Sequence, residues 1–355
     1  MNLPSLEKAK VFGKTVFLRA DLDVPLSAIS HPSTPLRTSQ PSAISEIEDD
    51  TRLKAALPTI EYLLKNGAKV IIAGHLGRPK GIDKSLSLEP IARWFSIKYK
   101  VLSIKYGKRK GFDGWELTDN LFLLENLRFY KGEEANDQDF AAKLISLANI
   151  YVNDAFAVCH RAHASIAGMP KFLPHFAGIH LREEVRVLSS VLENPKRPLV
   201  VIIGGAKIET KLPLVEKMRG VADYVLVGGK IAKEILPFLK EKSQTLFVAD
   251  LNPDGFDITP KSTDDFLKIV NTAETIVWNG PVGYVEIKEG LEGSRKLAEG
   301  IVKSNAYTVV GGGDTLGFLK KLGLLDKFSF VSTGGGAMLE FLSGKSLPGI
   351  IAIIS

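Results

Sequence analysis

The chain has 355 residues, 45% of them hydrophobic, which is more than one ordinary core needs and enough to fill two. Lysine and arginine total 46 against 40 aspartates and glutamates, with the signs interleaved along the chain. A surplus this small and this dispersed suits an anionic metabolite and argues against a nucleic-acid partner, whose readers gather charge on one face.

One cysteine, Cys159, excludes an intrachain disulfide and a cysteine-based zinc cluster, and it fits a reducing compartment. The opening stretch MNLPSLEKAKVFGK lacks the apolar centre of a signal peptide, and no apolar run is long enough for a bilayer. A soluble, unexported, cytoplasmic protein without a membrane partner is expected.

In chain order, runs rich in valine, isoleucine and aromatics predict strands at Thr15–Leu18, Lys69–Ala73, Leu199–Ile203, Tyr224–Val227, Thr275–Trp278, Tyr307–Val310 and Phe328–Val331. Helix-like segments lie between most of them, the alternation of a parallel sheet covered on both faces. In the first such segment Leu53, Leu57, Ile60 and Leu64 share a helical face, with Thr51 near the cap, Gly67 ending the helix and Pro58 expected to kink it. Phe140, Leu144 and Leu147 repeat the pattern after a cap expected at Asn136. Ser27–Glu46 is dense in serine, threonine and proline and reads as a long loop. A helix over Leu181–Leu192 marks a lobe boundary, just before it or along it.

The second half repeats one device: an apolar strand that runs into paired or tripled glycines and then a helix. It occurs in VVIIGGAK (200–207), VLVGGK (225–230), VVGGGDT (309–315) and FVSTGGGA (330–337). Glycines let backbone approach a phosphate and offer N–H groups at a helix N-terminus. Any α/β sheet places glycine at a tight strand-to-helix turn, so one copy says little, whereas four at the same end of successive strands point to phosphate binding. Neither GKT (13–15) nor GKS (344–346) has the P-loop glycine upstream, and no GxGxxG opens a βαβ unit. Asp314 follows the glycine triplet and suits Mg²⁺ or a helix cap.

The first half carries basic residues instead: Arg19, Arg52, His75 and Arg78 of GHLGRP, Arg128 of LENLRFY, and His160, Arg161 and His163 of HRAH. Planar guanidinium forks bind phosphate or carboxylate through paired hydrogen bonds, although any single arginine could be a surface ion pair. A histidine metal site lacks both the HExxH spacing and assisting cysteines. Asp21 and Asp23 alternate along an extended segment and point one way, towards substrate hydroxyls or neighbouring arginines.

Together, RADLDVP (19–25), GHLGRP (74–79), ENLRFY (125–130), NDAF and HRAHAS (153–165), GGAK (204–207), WNGPVG (278–283), GGGDT (311–315), STGGGA (332–337) and LPGI (347–350) resemble phosphoglycerate kinases, in the family's order from end to end. The resemblance implies two Rossmann-like lobes, each a mainly parallel sheet flanked by helices, with a hinge between them. The first, 1–177 with 341–355 returning to it, would bind 3-phosphoglycerate or 1,3-bisphosphoglycerate. The second, 178–340, would bind ADP or ATP with Mg²⁺. A monomer is implied.

Carried over by position, Asp21 and Asp23 would hold the glycerate, and His75, Leu76, Gly77, Arg78, Arg128 and Arg161 would surround the phosphate that is not transferred. Arg52 would reach the reacting carboxyl. Lys207 and Lys211 would contact the nucleotide phosphates and the moving phosphoryl group, Glu286 the ribose, and Gly312, Gly313, Asp314 and Thr315 the phosphates and Mg²⁺, with Asp314 as the metal ligand. The N–H groups of Gly334–Gly336, Gly335 above all, would face the transition state. A nucleotide-binding relative without turnover and a kinase for another carboxylic acid are the competing readings. Lys207, Lys211, Arg52 and Asp314 argue against the first of these, and the basic cluster argues against the second.

Three departures from the family pattern stand out. Asp23 replaces an asparagine, which puts a second carboxylate beside an anionic substrate and predicts weaker glycerate binding. Ala157 and Val158 stand where glycine and threonine are usual. The chain is short before FDITP (256–260), and Ser27–Glu46 reads as an insertion that activity does not need.

Overall fold

The computed structural model describes residues 1–27, 47–238 and 244–354. Two compact units form: Asn2–Glu183 with Leu347–Ser355, and Glu184–Ser346 with Met1. The segment read above as a loop lies, from residue 28 to 46, outside the described residues, while its flanks Leu26 and Ile47 form an antiparallel bridge.

In the amino-terminal unit, β1 (Thr15–Arg19), α1 (Thr51–Lys65), β2 (Lys69–Ala73), α2 (Glu89–Lys98), β3 (Lys105–Arg109), β4 (Phe112–Thr118), β5 (Leu121–Leu124), α3 (Lys131–Glu134), α4 (Gln138–Ile145), β6 (Ile150–Asn153) and β7 (His175–Ala177) follow in chain order. The sheet runs β3-β4-β5-β2-β1-β6-β7. It is parallel from β5 to β7, with antiparallel pairing of β3 to β4 and of β4 to β5. Val16, Leu18, Val70 and Ile72 of the central strands are buried against Leu53, Ile60 and Leu63 of α1. These apolar runs form strands because a parallel sheet with helices on its faces shields them from water.

The chain passes into the second unit along α5 (Ile179–Glu193), then β8 (Leu199–Ile203), α6 (Ile208–Arg219), β9 (Tyr224–Val227), α7 (Ile231–Ile235), β10 (Leu246–Val248), α8 (Pro260–Val270), β11 (Thr275–Asn279), α9 (Glu292–Lys303), β12 (Tyr307–Gly311), α10 (Gly313–Lys321), β13 (Phe330–Ser332) and α11 (Gly336–Leu342). All six strands are parallel, in the order β10-β9-β8-β11-β12-β13. Trp278, Val200, Ile276 and Phe266 anchor this core. The last helix, α12 (Pro348–Ile354), belongs to the amino-terminal unit, where Gly349 N donates to Cys159 O at 2.8 Å and Cys159 is buried.

The expected strands form, with ends shifted by at most two residues, and α1 runs through Pro58. Thr51 lies next to the cap of α1, as expected: Asp50 precedes the helix, Thr51 is its first residue, and Asp49 Oδ1 accepts from Thr51 N at 3.0 Å. One cap differs. Asp137, not Asn136, caps α4 by accepting from Phe140 N at 2.7 Å, while Asn136 takes a left-handed φ of 52°. The β3–β4 hairpin turns at Lys110 and Gly111, both at positive φ as a two-residue hairpin turn demands. Among the described residues no helix is long and apolar enough to cross a membrane.

The start of α5 is held by buried polar groups. Ile179 N donates to Thr59 Oγ1 at 2.9 Å, and Leu181 N donates to Asp154 Oδ1 at 3.0 Å. Asp154 follows β6, and burial pushes its carboxyl up to about 7 against the helix N–H groups that favour the anion. Between the ordinary value of 3.8 and about 7 only the unfolded state is ionised. Unfolding then releases a proton, so this residue makes stability fall as pH rises through that window. Asp154→Asn keeps an acceptor for Leu181 N without the charge. Urea unfolding is expected to show the variant gaining on the parent between pH 4 and 7, by roughly 2 kcal/mol or more; parallel stability profiles would contradict this.

Candidate functional site

In the amino-terminal unit, four parallel strands deliver chemistry to one edge of the sheet, their carboxyl ends. β1 leads to Arg19, Asp21 and Asp23, β2 to His75, Leu76, Gly77 and Arg78, β5 to Arg128, and β6 to Arg161 and His163. This is where open α/β sheets bind ligands, because the chain must leave each strand there by a loop.

The loop after β2 is fixed from several sides. Asp23 Oδ1 accepts from Gly77 N at 2.8 Å, Arg128 Nη1 donates to Gly77 O at 2.6 Å, and Asn126 Nδ2 donates to Leu76 O at 2.8 Å. The Leu76 side chain is buried in the core, so its backbone is what faces the loop. Arg52, in the first turn of α1, lies 3.1 Å from Asp21 Oδ2 and 4.0 Å from Asp23 Oδ2.

The cluster is strongly electropositive. His75 is 2% exposed, and its imidazole is held well below its usual range by burial and by Arg19, Arg128, His163 and Arg52. His163 is pushed down to about 4 by burial and by Arg128, Arg19, Arg161 and His160. Neutral histidines next to arginines are what low dielectric and like charge impose. Arg78 and Arg161 are exposed, and among the described residues neither has an acidic partner. Two uncompensated guanidinium groups beside neutral imidazoles suit a small polyanion.

In the second unit the same edge carries the glycine turns. Strand order reverses between β8 and β11, and Gly204 and Gly280 meet there: a Cβ on Gly204 would stand 2.1 Å from Pro281 O and 2.6 Å from Gly280 O. Only glycine permits that approach. Gly312 has φ +97° and leads into α10, whose first turn holds Gly313, Asp314 and Thr315.

A cavity of about 610 Å³ opens at this edge, lined in part by Gly205, Gly229, Lys230, Leu251, Phe256, Tyr284, Glu286 and Asp314. Its mix of apolar walls and few polar groups is that of a small-molecule site. Glu286 and Asp314 are thus brought to one cavity. Lys207 is exposed at the start of α6 and has no acidic partner among the described residues. Lys211, one turn further on, is buried, and its Nζ donates to Asn279 Oδ1; burial pushes it down to about 8 against the pull of Asp314.

Thr315 is fully buried, and its Oγ1 accepts from Gly280 N at 2.9 Å, which ties α10 to the β11 turn. Gly335 takes φ +50° at the start of α11, and the N–H of Gly334 is already given to Ser332 Oγ at 3.2 Å. Thr333 N donates to Glu184 Oε1 at 2.8 Å.

The sequence matches the family model described as phosphoglycerate kinase over residues 6–246 and 238–345. It is 38% identical to the phosphoglycerate kinase of Dictyoglomus turgidum, with 96% of each chain covered, and 37% identical to the cytosolic phosphoglycerate kinase 3 of Arabidopsis thaliana, with 99% and 98% covered. The chain belongs to the phosphoglycerate kinase family. The structure of phosphoglycerate kinase from Coxiella burnetii superposes with a TM-score of 0.80 at 33% identity, covering 99% of both chains. The family's reaction, phosphoryl transfer between a carboxyl-linked phosphate and a nucleotide, is this chain's reaction: 1,3-bisphosphoglycerate and ADP give 3-phosphoglycerate and ATP, reversibly.

Several residues at these edges have a place in the structure to which the sequence alone assigns no role. Leu251, Phe256 and Tyr284 form cavity walls, and Lys230, the last residue of the GGK turn, lines it. Asn279 holds Lys211. Arg19, in sequence one of several cations, is fully buried and bonded to His75 and Ser165.

Proposed function

We propose that the amino-terminal basic cluster binds the phosphoglycerate and the second unit's cavity binds the nucleotide as its Mg²⁺ complex. The observation that carries this is the pairing of two opposite designs on two sheets. One edge presents two arginines, Arg78 and Arg161, that have no acidic partner among the described residues, and the other presents glycine turns beside a cavity with a carboxylate at its wall.

Asp21 and Asp23 hold the glycerate, and Gly77 N–H is already engaged by Asp23. His75, Arg78, Arg128 and Arg161 surround the phosphate that stays. Arg52, kept in reach by Asp21, neutralises the reacting carboxyl end. Glu286 takes the ribose hydroxyls, and Leu251, Phe256 and Tyr284 supply the apolar wall for the base.

Asp314 suits Mg²⁺, which keeps most of its shell in water and phosphate oxygens and needs only one or two protein carboxylates. Among the described residues no three acidic, histidine or cysteine side chains cluster to make a protein-only cage, which fits an ion delivered with the nucleotide. When bound, the ion neutralises phosphate charge.

No general base is required, since the nucleophile is an anion in both directions: a carboxylate oxygen or an ADP phosphate oxygen. Alignment and charge neutralisation do the catalysis. Lys207 is an exposed cation at the glycine turn, Lys211 is held by Asn279, and the N–H groups at Gly335 and Gly336 add donors for the transition state. Because acceptor and donor belong to separate units, transfer needs a closing motion that also excludes water. The unit boundary falls inside α5, our proposed hinge. We infer a cytoplasmic monomer: the buried single cysteine fits a reducing compartment, and the relatives include both cytosolic and chloroplastic phosphoglycerate kinases.

A coupled assay of ATP consumption with 3-phosphoglycerate and Mg²⁺ tests the reading. The parent is expected to turn over, and Lys207→Ala to lower kcat by roughly a hundredfold or more, the usual loss of one transition-state donor; a variant with full turnover would remove Lys207 from the mechanism. In Asp23→Asn the side-chain oxygen can keep Gly77 N while an NH2 donor replaces the second oxygen. The Michaelis constant for 3-phosphoglycerate is expected to fall, and an unchanged or raised value would sink the repulsion argument.

A further inference from the structure

Behind the basic cluster lies a chain of buried polar groups whose hydrogen-bond directions are fully determined. Arg19, Glu133 and Ser165 are each 0% exposed. A guanidinium only donates, so every partner of Arg19 must accept. Its Nη1 donates to Ala20 O at 2.5 Å, its Nε to Ser165 Oγ at 2.9 Å, and its Nη2 meets His75 Nδ1 at 3.2 Å. Ser165 Oγ therefore has one proton to give elsewhere, and Glu133 Oε1 takes it at 2.5 Å, while Glu133 Oε2 accepts from Ser165 N at 3.0 Å. The carboxylate thus orients the hydroxyl, and the hydroxyl orients the guanidinium.

The same logic decides the imidazole. His75 Nδ1 must hold a lone pair towards Arg19, so the proton of the neutral ring sits on Nε2. Nε2 lies 3.7 Å from Asp23 Oδ2, on the side of the cluster where Asp23 and Gly77 meet. The other tautomer would set Nδ1–H against an Arg19 N–H and turn a lone pair towards the anion site.

We propose that Arg19, anchored by Glu133 through Ser165, is a positioning residue that fixes His75 as the Nε2–H tautomer and so gives the phosphoglycerate site a permanent neutral donor. The inference rests on the reading of that cluster as the phosphoglycerate site. It assigns to Arg19 and Glu133 a task that needs no contact with substrate. A fixed neutral donor adds a hydrogen bond to an anion without adding another charge among Arg52, Arg128 and Arg161.

The test is a long-range ¹H–¹⁵N correlation spectrum of the full chain with labelled histidine at pH 7.5, together with steady-state kinetics. The wild-type His75 is expected to show an unprotonated Nδ1 and a protonated Nε2; a protonated Nδ1 would overturn the proposal without any variant. Arg19→Met is expected to populate the Nδ1–H form and to raise the KM for 3-phosphoglycerate about tenfold, the scale of one hydrogen bond to a charged group, with less effect on kcat. An unchanged tautomer in that variant would also overturn it. Should Arg19→Met fail to fold, His75→Gln and His75→Asn serve, since glutamine places its amide N–H near the Nε2 position and asparagine near Nδ1. Glutamine is expected to hold KM to within about threefold and asparagine to lose about tenfold, and equal losses would refute the assignment. Failure of 3-phosphoglycerate to bind the wild-type protein would instead refute the reading of the site, because the tautomer is observed without ligand.

Discussion

Positive potential that the protein itself does not neutralise is the constraint on which the rest of this structure depends. Among the described residues Arg78 and Arg161 stand exposed without acidic partners, and Lys207 stands likewise at its own turn. Charges of one sign repel, so they stay together only if the backbone holds them there. Parallel sheets supply that holding. Every parallel strand ends at the same edge, its hydrogen bonds fix the start of each loop, and the loops converge. Both units use this geometry, the first to converge side chains and the second to converge backbone N–H groups through glycine.

The buried polar groups serve the same end. Glu133, Ser165 and Arg19 lie beneath the first cluster, and Asn279, Thr315 and Gly280 lie beneath the second. Each network is satisfied by directional bonds in low dielectric, which makes it stiff and makes its disruption costly. Burial also sets protonation. His75 and His163 stay neutral among arginines, and Lys211 is pushed down to about 8 while Asp314 pulls the other way.

Much of this was legible because local sequence carries it. Leu199–Ile203 is apolar throughout, as is Ile276–Trp278 inside Thr275–Asn279, which suits a doubly covered strand, and each strand ends in the glycines that its turn requires. The hairpin of β3 and β4 was not legible, since Lys110–Gly111 is not the usual asparagine–glycine turn and Gly107 and Gly114 dilute the strands. The cap of α4 was off by one because neighbouring residues compete for the role, Asp137 beside Asn136. The site's exposed cations were visible as motifs. The support beneath them was not, as Arg19 and Ser165 are 146 residues apart and burial leaves no local mark on a polar residue.

The most direct measurement of the central claim is a diffraction structure of the protein with 3-phosphoglycerate and MgADP bound. The account expects the substrate phosphate among His75, Arg78, Arg128 and Arg161, the nucleotide in the cavity walled by Phe256 and Tyr284, and the cation at Asp314. A 3-phosphoglycerate ordered away from the arginines, or a nucleotide outside that cavity, would contradict it.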